Sequence, residues 1–372
     1  MHTYGGNTGG GRMVVSGNGR GGGGSGVRRN STGLSYTHDG QVYTGLTTEA
    51  GSAADITQSK GDEELAERRV LFMGMPRSGK TSIVSVIFDG TQAYETLGML
   101  PTVLPTMYPL MAGIVVYDFP GVDDYSETQY NNISESVYEG EHTSLVYVVD
   151  SQGDLQASLS TMYSIIRTAQ SVNADIPINI FINKVDGLSD ELKQDTQQDI
   201  QNKVMKTMTY ESLNSTFVQF FLTTIYDESI REALSRVVRR LVPRYNTLET
   251  ILNSFCSKSS LDKAFLFDMN TKVYLATDST STESLLYMFT CHTLAAIEEI
   301  MTLCSGYVPM GEEETGMQKT AVMMDGSTRI FVYQVNSCLA LLCLVSLKVP
   351  RHDSLLDFNG SKIAKAIRKI LP

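Results

Sequence analysis

The stretch Gly74-Met75-Pro76-Arg77-Ser78-Gly79-Lys80-Thr81 restricts the fold of this chain more than any other. An apolar run, Val70-Leu71-Phe72-Met73, precedes it and reads as a buried strand, and Ser82 to Phe88 follows with the spacing of a buried helix. Strand, glycine-flanked loop and helix in that order make a phosphate cradle. The two glycines let the backbone curl close to a phosphate chain, and successive N–H groups point inward as an anion-binding nest at a helix N-terminus. Lys80 then places its charge on the β and γ phosphates, and the Thr81 hydroxyl gives one hard oxygen to Mg²⁺. Gly74, Arg77, Ser78, Gly79, Lys80, Thr81 and Ser82 are the expected phosphate-side residues. The loop specifies a nucleotide phosphate but not the base.

At 372 residues the chain has room for two domains, each with its own core. The balance of 41 Asp+Glu against 30 Lys+Arg argues against a general nucleic-acid binder. Cys256, Cys291, Cys304, Cys338 and Cys343 include no CxxC pair, and His292 has no second ligand at a metal-binding interval. Buried reduced thiols in a cytosolic protein are expected rather than zinc or disulfides. The N-terminus lacks the apolar segment of a secretory leader. The longest apolar run, Cys338 to Leu347, is too short to span a bilayer and reads as a central strand. No myristoylation or prenylation motif is seen. The expectation is a cytoplasmic protein with no direct membrane anchor, brought to any membrane by partners.

Residues 1 to about 64 hold about half of the glycines and little that builds a core, so a disordered tail is expected there. Its scattered arginines faintly resemble an RNA-binding tail, but a solvated tail is the simpler reading. From 68 to 243 apolar runs alternate with helical patterns, as in a mostly parallel sheet covered on both faces. The runs after the phosphate loop are Gly113–Tyr117, Leu145–Val149, Ile178–Ile182 and Phe217–Leu222; the helical patterns are 155–171, 193–208 and 227–241.

In such sheets ligands sit at the carboxyl ends of the strands. Asp118-Phe119-Pro120-Gly121 follows one strand, offering a carboxylate for a water-mediated hold on Mg²⁺ and a Gly121 N–H for a γ-phosphate. Asn183-Lys184-Val185-Asp186 follows another; Asp186 can accept paired hydrogen bonds from the N1–H and exocyclic amine of guanine, donors that adenine does not present together. Thr223-Thr224-Ile225 follows the last, where Thr224 can brace Asp186 and a backbone N–H, that of Ile225 included, can meet the guanine carbonyl. GTP or GDP with Mg²⁺ is therefore the expected ligand. Between the first helix and the next strand, a loop threonine can close over Mg²⁺ when a γ-phosphate is present. Thr102 and Thr106 both compete for that place.

These residues resemble the Rag/Gtr family of GTPases, in the RagC/RagD/Gtr2 branch. The resemblance runs through the phosphate loop, Glu95-Thr96-Leu97, Asp118–Gly121, Val149–Gln152, Lys184–Asp190, Leu222–Asp227, Lys263–Asp268 and Ala276–Ser279, and covers about 68 to 350. It implies Thr102 as the switch threonine. It also implies a P-loop GTPase domain over 68–243, and over 246–372 an α+β roadblock/longin-like domain that pairs with that of a RagA/Gtr1-like GTPase. A Ragulator-like scaffold then holds the heterodimer on the lysosomal or vacuolar membrane, where it signals amino-acid sufficiency to the target-of-rapamycin kinase complex. Two positions depart from the branch. Asn183 stands where histidine is usual, and Val122 stands where the family places the glutamine that orients the attacking water. Slow hydrolysis is expected; Asp123 and Asp124 read as exposed switch-loop acids rather than as substitutes for the glutamine.

Beyond Thr247 the reading is a helix at 248–255, a hairpin of Ala264–Phe267 and Val273–Ala276, a helix at 283–304, strands at 321–324, 330–334 and 339–345, and a last helix at 361–371. No catalytic constellation is present, which favours an interaction role. The last helix, with Ile363, Ile367, Ile370 and Leu371 on one face, is expected to pack on its own domain rather than on an acidic membrane. Two other functions remain open: a scaffold subunit that keeps its nucleotide permanently, and an unrelated monomeric small GTPase of trafficking.

Overall fold

A computed structural model of the chain describes residues 35–38, 41–44, 67–122, 135–305, 319–323, 328–346 and 353–371. It divides into two units, residues 1–61 and 62–372. In the first, Ser35–His38 (β1) pairs antiparallel with Gln41–Thr44 (β2). The rest of the expected tail lies outside the described residues.

The second unit holds two sheets. The first is six-stranded, in the order β4-β5-β3-β6-β7-β8. Its strands are β3 (Arg68–Gly74), β4 (Thr106–Leu110), β5 (Ile114–Asp118), β6 (Thr143–Asp150), β7 (Ile178–Asn183) and β8 (Val218–Thr223). All pairings are parallel except β4 with β5. Alternate residues serve opposite faces. Val70, Phe72, Val146 and Val148 pack with α1 (Lys80–Phe88) and α4 (Ser229–Val238). Leu71, Met73, Leu145, Tyr147 and Val149 pack with α2 (Leu155–Val172) and α3 (Asp190–Tyr210). Being covered on both sides, these strands read as unbroken apolar runs. Phe181 meets Phe72 and Phe221 edge to face, at 5.8 and 5.5 Å between ring centroids. Burying one such side chain contributes about 1.5–3 kcal/mol. This is the P-loop GTPase architecture.

Two local features escaped the sequence reading. β4 was not anticipated, because it alternates poorly and contains Pro109. Helix α3 starts three residues before the expected 193, since Ser189 accepts the Leu192 N–H at 3.4 Å and Asp190 and Glu191 occupy the first turn.

The second sheet is five-stranded and antiparallel, in the order β10-β9-β13-β12-β11. In chain order the elements are α5 (Tyr245–Ser259), β9 (Lys263–Asp268), β10 (Tyr274–Thr277), α6 (Ser284–Ser305), β11 (Lys319–Met323), β12 (Thr328–Gln334), β13 (Leu339–Ser346) and α7 (Asp353–Ile370). Ala264, Leu266, Leu341 and Cys343 face α5 and α7, while Phe265, Phe267, Leu342 and Leu344 face α6. This is an α+β arrangement of one antiparallel sheet with helices on both faces, and the long apolar run forms its central strand.

Helix α7 begins at Asp353, eight residues before the expected Ser361. Asn359-Gly360 reads as a helix breaker, yet Gly360 lies mid-helix against Tyr333. A Cβ there would come within 2.7 Å of the Tyr333 ring, so the glycine serves close approach rather than a turn.

Helix α4 joins the sheets. The Arg231 guanidinium donates to the Val86 carbonyl at the end of α1 (3.0 Å) and to the Thr271 carbonyl in the β9–β10 turn (3.1 Å). The Tyr274 N–H donates to Ser235 Oγ at 3.0 Å. One continuous apolar core runs from α1 through α4 to α5 and α7.

Candidate functional site

The phosphate loop joins β3 to α1 at the carboxyl end of the first sheet. Gly79 precedes the helix at φ 98°, and a Cβ there would lie 2.3 Å from Asn183 Nδ2. Gly121 is equally constrained, since a Cβ would lie 2.5 Å from Pro76 Cα. Lys80 is only 4% exposed, and its Nζ donates to the carbonyls of Gly74 (3.1 Å) and Met75 (2.9 Å). Burial pulls its pKa down to about 8, against the opposing pull of Asp118. The first amides of α1 have no partners within the helix. Ser78 Oγ is buried with no hydrogen-bond partner among the described residues, while Arg77 is exposed and Ser82 half-buried. The loop thus presents amides and a desolvated cation, the chemistry that holds an anion.

Beside it, three oxygen-bearing side chains converge from three elements. Thr81 Oγ1 lies 2.6 Å from Thr102 Oγ1, and both hydroxyls donate to Asp118 Oδ2, at 2.7 and 3.1 Å. Asp118 is 1% exposed and its Oδ1 is buried without a partner among the described residues. Burial raises its pKa, opposed by the Thr81 and Thr102 hydrogen bonds and the Lys80 charge. Thr106 is elsewhere: it is the first residue of β4, exposed, with its hydroxyl 3.5 Å from the Leu104 carbonyl. Two hydroxyls and a desolvated carboxylate with a vacant oxygen suit a small, hard divalent cation such as Mg²⁺.

The ends of β7 and β8 form the other side. Thr224 Oγ1 donates to Asp186 Oδ1 at 2.7 Å, and Asp186 itself is exposed. The Thr224 N–H is taken by Ser229 Oγ, and Ile225 packs half-buried on the core. Asn183 is buried; its Nδ2 donates to the Ser78 carbonyl at 3.0 Å and its Oδ1 accepts from Thr223 at 3.3 Å. Asn183 therefore ties the phosphate loop to the β7 end. Lys184, at φ 64°, reaches back over the same loop, its Nζ donating to the Arg77 carbonyl (2.7 Å) and to Asp150 Oδ2 (2.6 Å).

The individual roles of Asp150, Ser151, Gln152 and Thr223 escaped the sequence reading. Ser151 Oγ and Gln152 Nε2 both donate to the Lys184 carbonyl, at 3.1 and 2.9 Å, holding its left-handed turn. Their position directly after the β6 run was the available signal. Val122 is buried beside Phe119 and Tyr138, and its N–H donates to the Gly74 carbonyl at 3.4 Å. Asp123 and Asp124 lie outside the described residues. Away from this end, burial pushes the Cys256 and Cys291 thiols up to about 12, leaving them poor nucleophiles.

Comparison with known proteins agrees with the geometry. The Gtr1/RagA G protein conserved region matches residues 69–301. Ras-related GTP-binding protein D of Mus musculus is 34% identical over 311 residues, covering 81% of this chain and 68% of its own. GTP-binding protein gtr2 of Schizosaccharomyces pombe is 34% identical over 312 residues, covering 82% of this chain and 98% of its own. The gtr1 protein of the same yeast is 24% identical over 222 residues, 58% of this chain and 70% of its own, which separates the two branches. The chain therefore belongs to the Gtr1/RagA family of G proteins and, within it, to the Rag C/D and Gtr2 branch.

Proposed function

We propose that this chain is a guanine-nucleotide switch of the Rag type, pairing through its C-terminal sheet with a RagA/Gtr1-like GTPase. One observation carries the reading: at one end of a single sheet, the Lys80 loop, the Thr81–Thr102–Asp118 cluster and the braced Asp186 carboxylate lie together. In this reading the amides from Gly74 to Ser82 and the Gly121 N–H hold phosphate oxygens, with Arg77 and Ser78 shaping the loop. Lys80 leaves the carbonyls it now contacts for the β and γ phosphates. Thr81 and Thr102 hold Mg²⁺ directly and Asp118 through water, and the ion there neutralises phosphate charge. Asp186 reads the N1–H and amine of guanine, Thr224 fixes its orientation, and the Ile225 N–H meets the base carbonyl. Asn183 and Lys184 lock the base side to the phosphate loop.

GTP hydrolysis needs a water aimed at the γ-phosphate. Val122 has no group to aim it, and its side chain is turned into the apolar cluster of Phe119 and Tyr138. Intrinsic turnover is slow, and Val122→Gln raises it by roughly a hundredfold, the low end of what a positioned polar group supplies. Single-turnover cleavage of GTP by the purified chain checks this. Fast cleavage by the unaltered chain, or a Gln variant no faster, removes Val122 as the cause.

The downstream role follows the family: a heterodimer held by a Ragulator-like scaffold at the lysosomal or vacuolar surface, reporting amino-acid sufficiency to the target-of-rapamycin complex. Among the described residues no helix is long and apolar enough to cross a membrane. Native mass measurement after co-expression with a RagA/Gtr1-like chain tests the pairing. The expected mass is one copy of each chain with two guanine nucleotides; a monomer points to a trafficking GTPase, and adenine nucleotides overturn the reading. Val122 also favours a second reading, a subunit that keeps its nucleotide and acts as a scaffold. A pair showing neither regulated exchange nor stimulated hydrolysis supports that one.

A further inference from the structure

Two cavities, of about 410 and 850 Å³, lie along β8, the first reaching Asp227–Ser229 just past its carboxyl end. Both are walled by Gln197, Phe220, Phe221 and Arg236, so they form one groove along β8. β8 is the last strand of its sheet, paired with β7 on one side only. The Ile178 N–H donates to the Phe217 carbonyl, and Ile178 lies opposite Val218. Backbone groups alternate along a strand, so Gln219 and Phe221 also turn theirs toward β7. Val218, Phe220 and Leu222 turn their N–H and C=O groups into the groove.

Exposed sheet edges are normally blunted by charge, proline or a bulge. The opposite edge, β4, contains Pro109, whereas β8 reads Val-Gln-Phe-Phe-Leu-Thr, without charge or proline. Its residues from Val218 to Leu222 are half-buried, not covered. An uncharged, β-prone strand with three outward sets of backbone groups is a template for another strand.

The groove also carries complementary charge at its two ends. Arg240 lies over the Phe217 ring, 5.3 Å from its centroid, at the start of β8, and no carboxylate pairs with it among the described residues. Asp227 lies beyond the other end, accepting only the Ser229 N–H among the described residues. The intervening Arg236 and Arg239 are already paired, with Glu232 and Glu249. The far wall is the hydroxyl-bearing segment Ser279–Thr282. We propose that this groove binds an extended segment of a partner protein, added antiparallel to β8 as a further strand, with a carboxylate at Arg240 and a cation at Asp227. Antiparallel pairing is the more stable of the two modes and sets the polarity: cation first, carboxylate last. The paired stretch spans about 20 Å at 3.3 Å per residue.

The test uses the full chain loaded with GDP and a fluorescent peptide, acetyl-Lys-Thr-Val-Thr-Val-Thr-Asp-amide, read by anisotropy. Saturable binding is expected. N-methylation of alternate residues in the frame facing β8 abolishes it, and the other frame leaves it intact. Replacing the peptide's Asp by Lys weakens binding about tenfold, the size of one lost charge-assisted hydrogen bond. Arg240→Glu reverses that preference, and recovery of the Lys-ended peptide shows that the variant is folded. No binding up to about 1 mM, the limit of a weak specific contact, overturns the proposal. So does indifference to both methylation frames. Concentration-dependent self-association that the peptide disperses places a second copy of this chain in the groove and overturns the partner reading.

Discussion

The Asp186→Asn chain should trade guanine for xanthine nucleotides. Xanthine carries a carbonyl where guanine carries its exocyclic amine, so an amide N–H at 186 finds an acceptor, whereas with guanine it meets a donor. A site built to hydrogen-bond one pattern rejects the other by roughly 10⁴-fold, because the mismatch strands polar groups out of water. The Asp186 oxygen already fixed by Thr224 at 2.7 Å makes that discrimination geometric as well as electrostatic. Competition binding with GDP and xanthosine diphosphate on the same preparation provides the measurement. Unchanged GDP affinity in the variant would show that the base is read elsewhere.

Lys263→Met should be among the most destabilising single changes in the C-terminal sheet. Lys263 and Asp278 are 2% and 1% exposed, with Nζ 3.4 Å from Oδ1. Burial lowers the Lys263 pKa and the Asp278 charge opposes it. Asp278 Oδ1 also accepts the Ala264 N–H at 2.9 Å, so it cannot move out to water without opening the β9–β10 edge. Removing only the cation leaves a buried carboxylate with hydrogen bonds but no counter-charge, at a loss of about 3–5 kcal/mol. Urea unfolding at pH 7 gives the value. The double variant Lys263→Met, Asp278→Asn should recover part of the loss: the amide oxygen keeps the Ala264 bond and carries no charge, while its nitrogen meets the Thr280 N–H that Oδ2 now accepts at 3.1 Å. A single variant within 1 kcal/mol of the parent, roughly the worth of an exposed pair, would show that water reaches the site.

What was legible in the sequence follows from how locally each feature is determined. The strands β3, β6 and β7 are buried on both faces and β5 alternates buried with half-buried residues, so apolar composition marks all four. β4 is an edge strand whose outer residues are exposed, and its formation depends on pairing with β5, which no local pattern encodes. The early start of α7 is hidden for a related reason: the ring that packs on Gly360 is Tyr333, in another element. The phosphate loop was plain because one short segment supplies the amides, the cation and one hydroxyl. The convergence of Thr102 with Thr81 and Asp118 depends on a loop closing over α1. From the residues alone Thr106 stayed open, and only the family resemblance favoured Thr102. The binding of the Lys184 carbonyl by Ser151 and Gln152 joins residues more than thirty apart, so it becomes visible only when β6 and β7 lie side by side.

Arg231 grips α1 with one nitrogen and the β9–β10 turn with another, so the two sheets have no free pivot between them. A chain built this way transmits little by swinging one half against the other. Moving one sheet against the other would break both contacts, so the candidate site and the C-terminal sheet are tied through this one side chain. In the proposed switch reading, a change of nucleotide is displayed by the segment around Thr102, where the side chains of Tyr94, Leu97, Leu100 and Val103 are exposed.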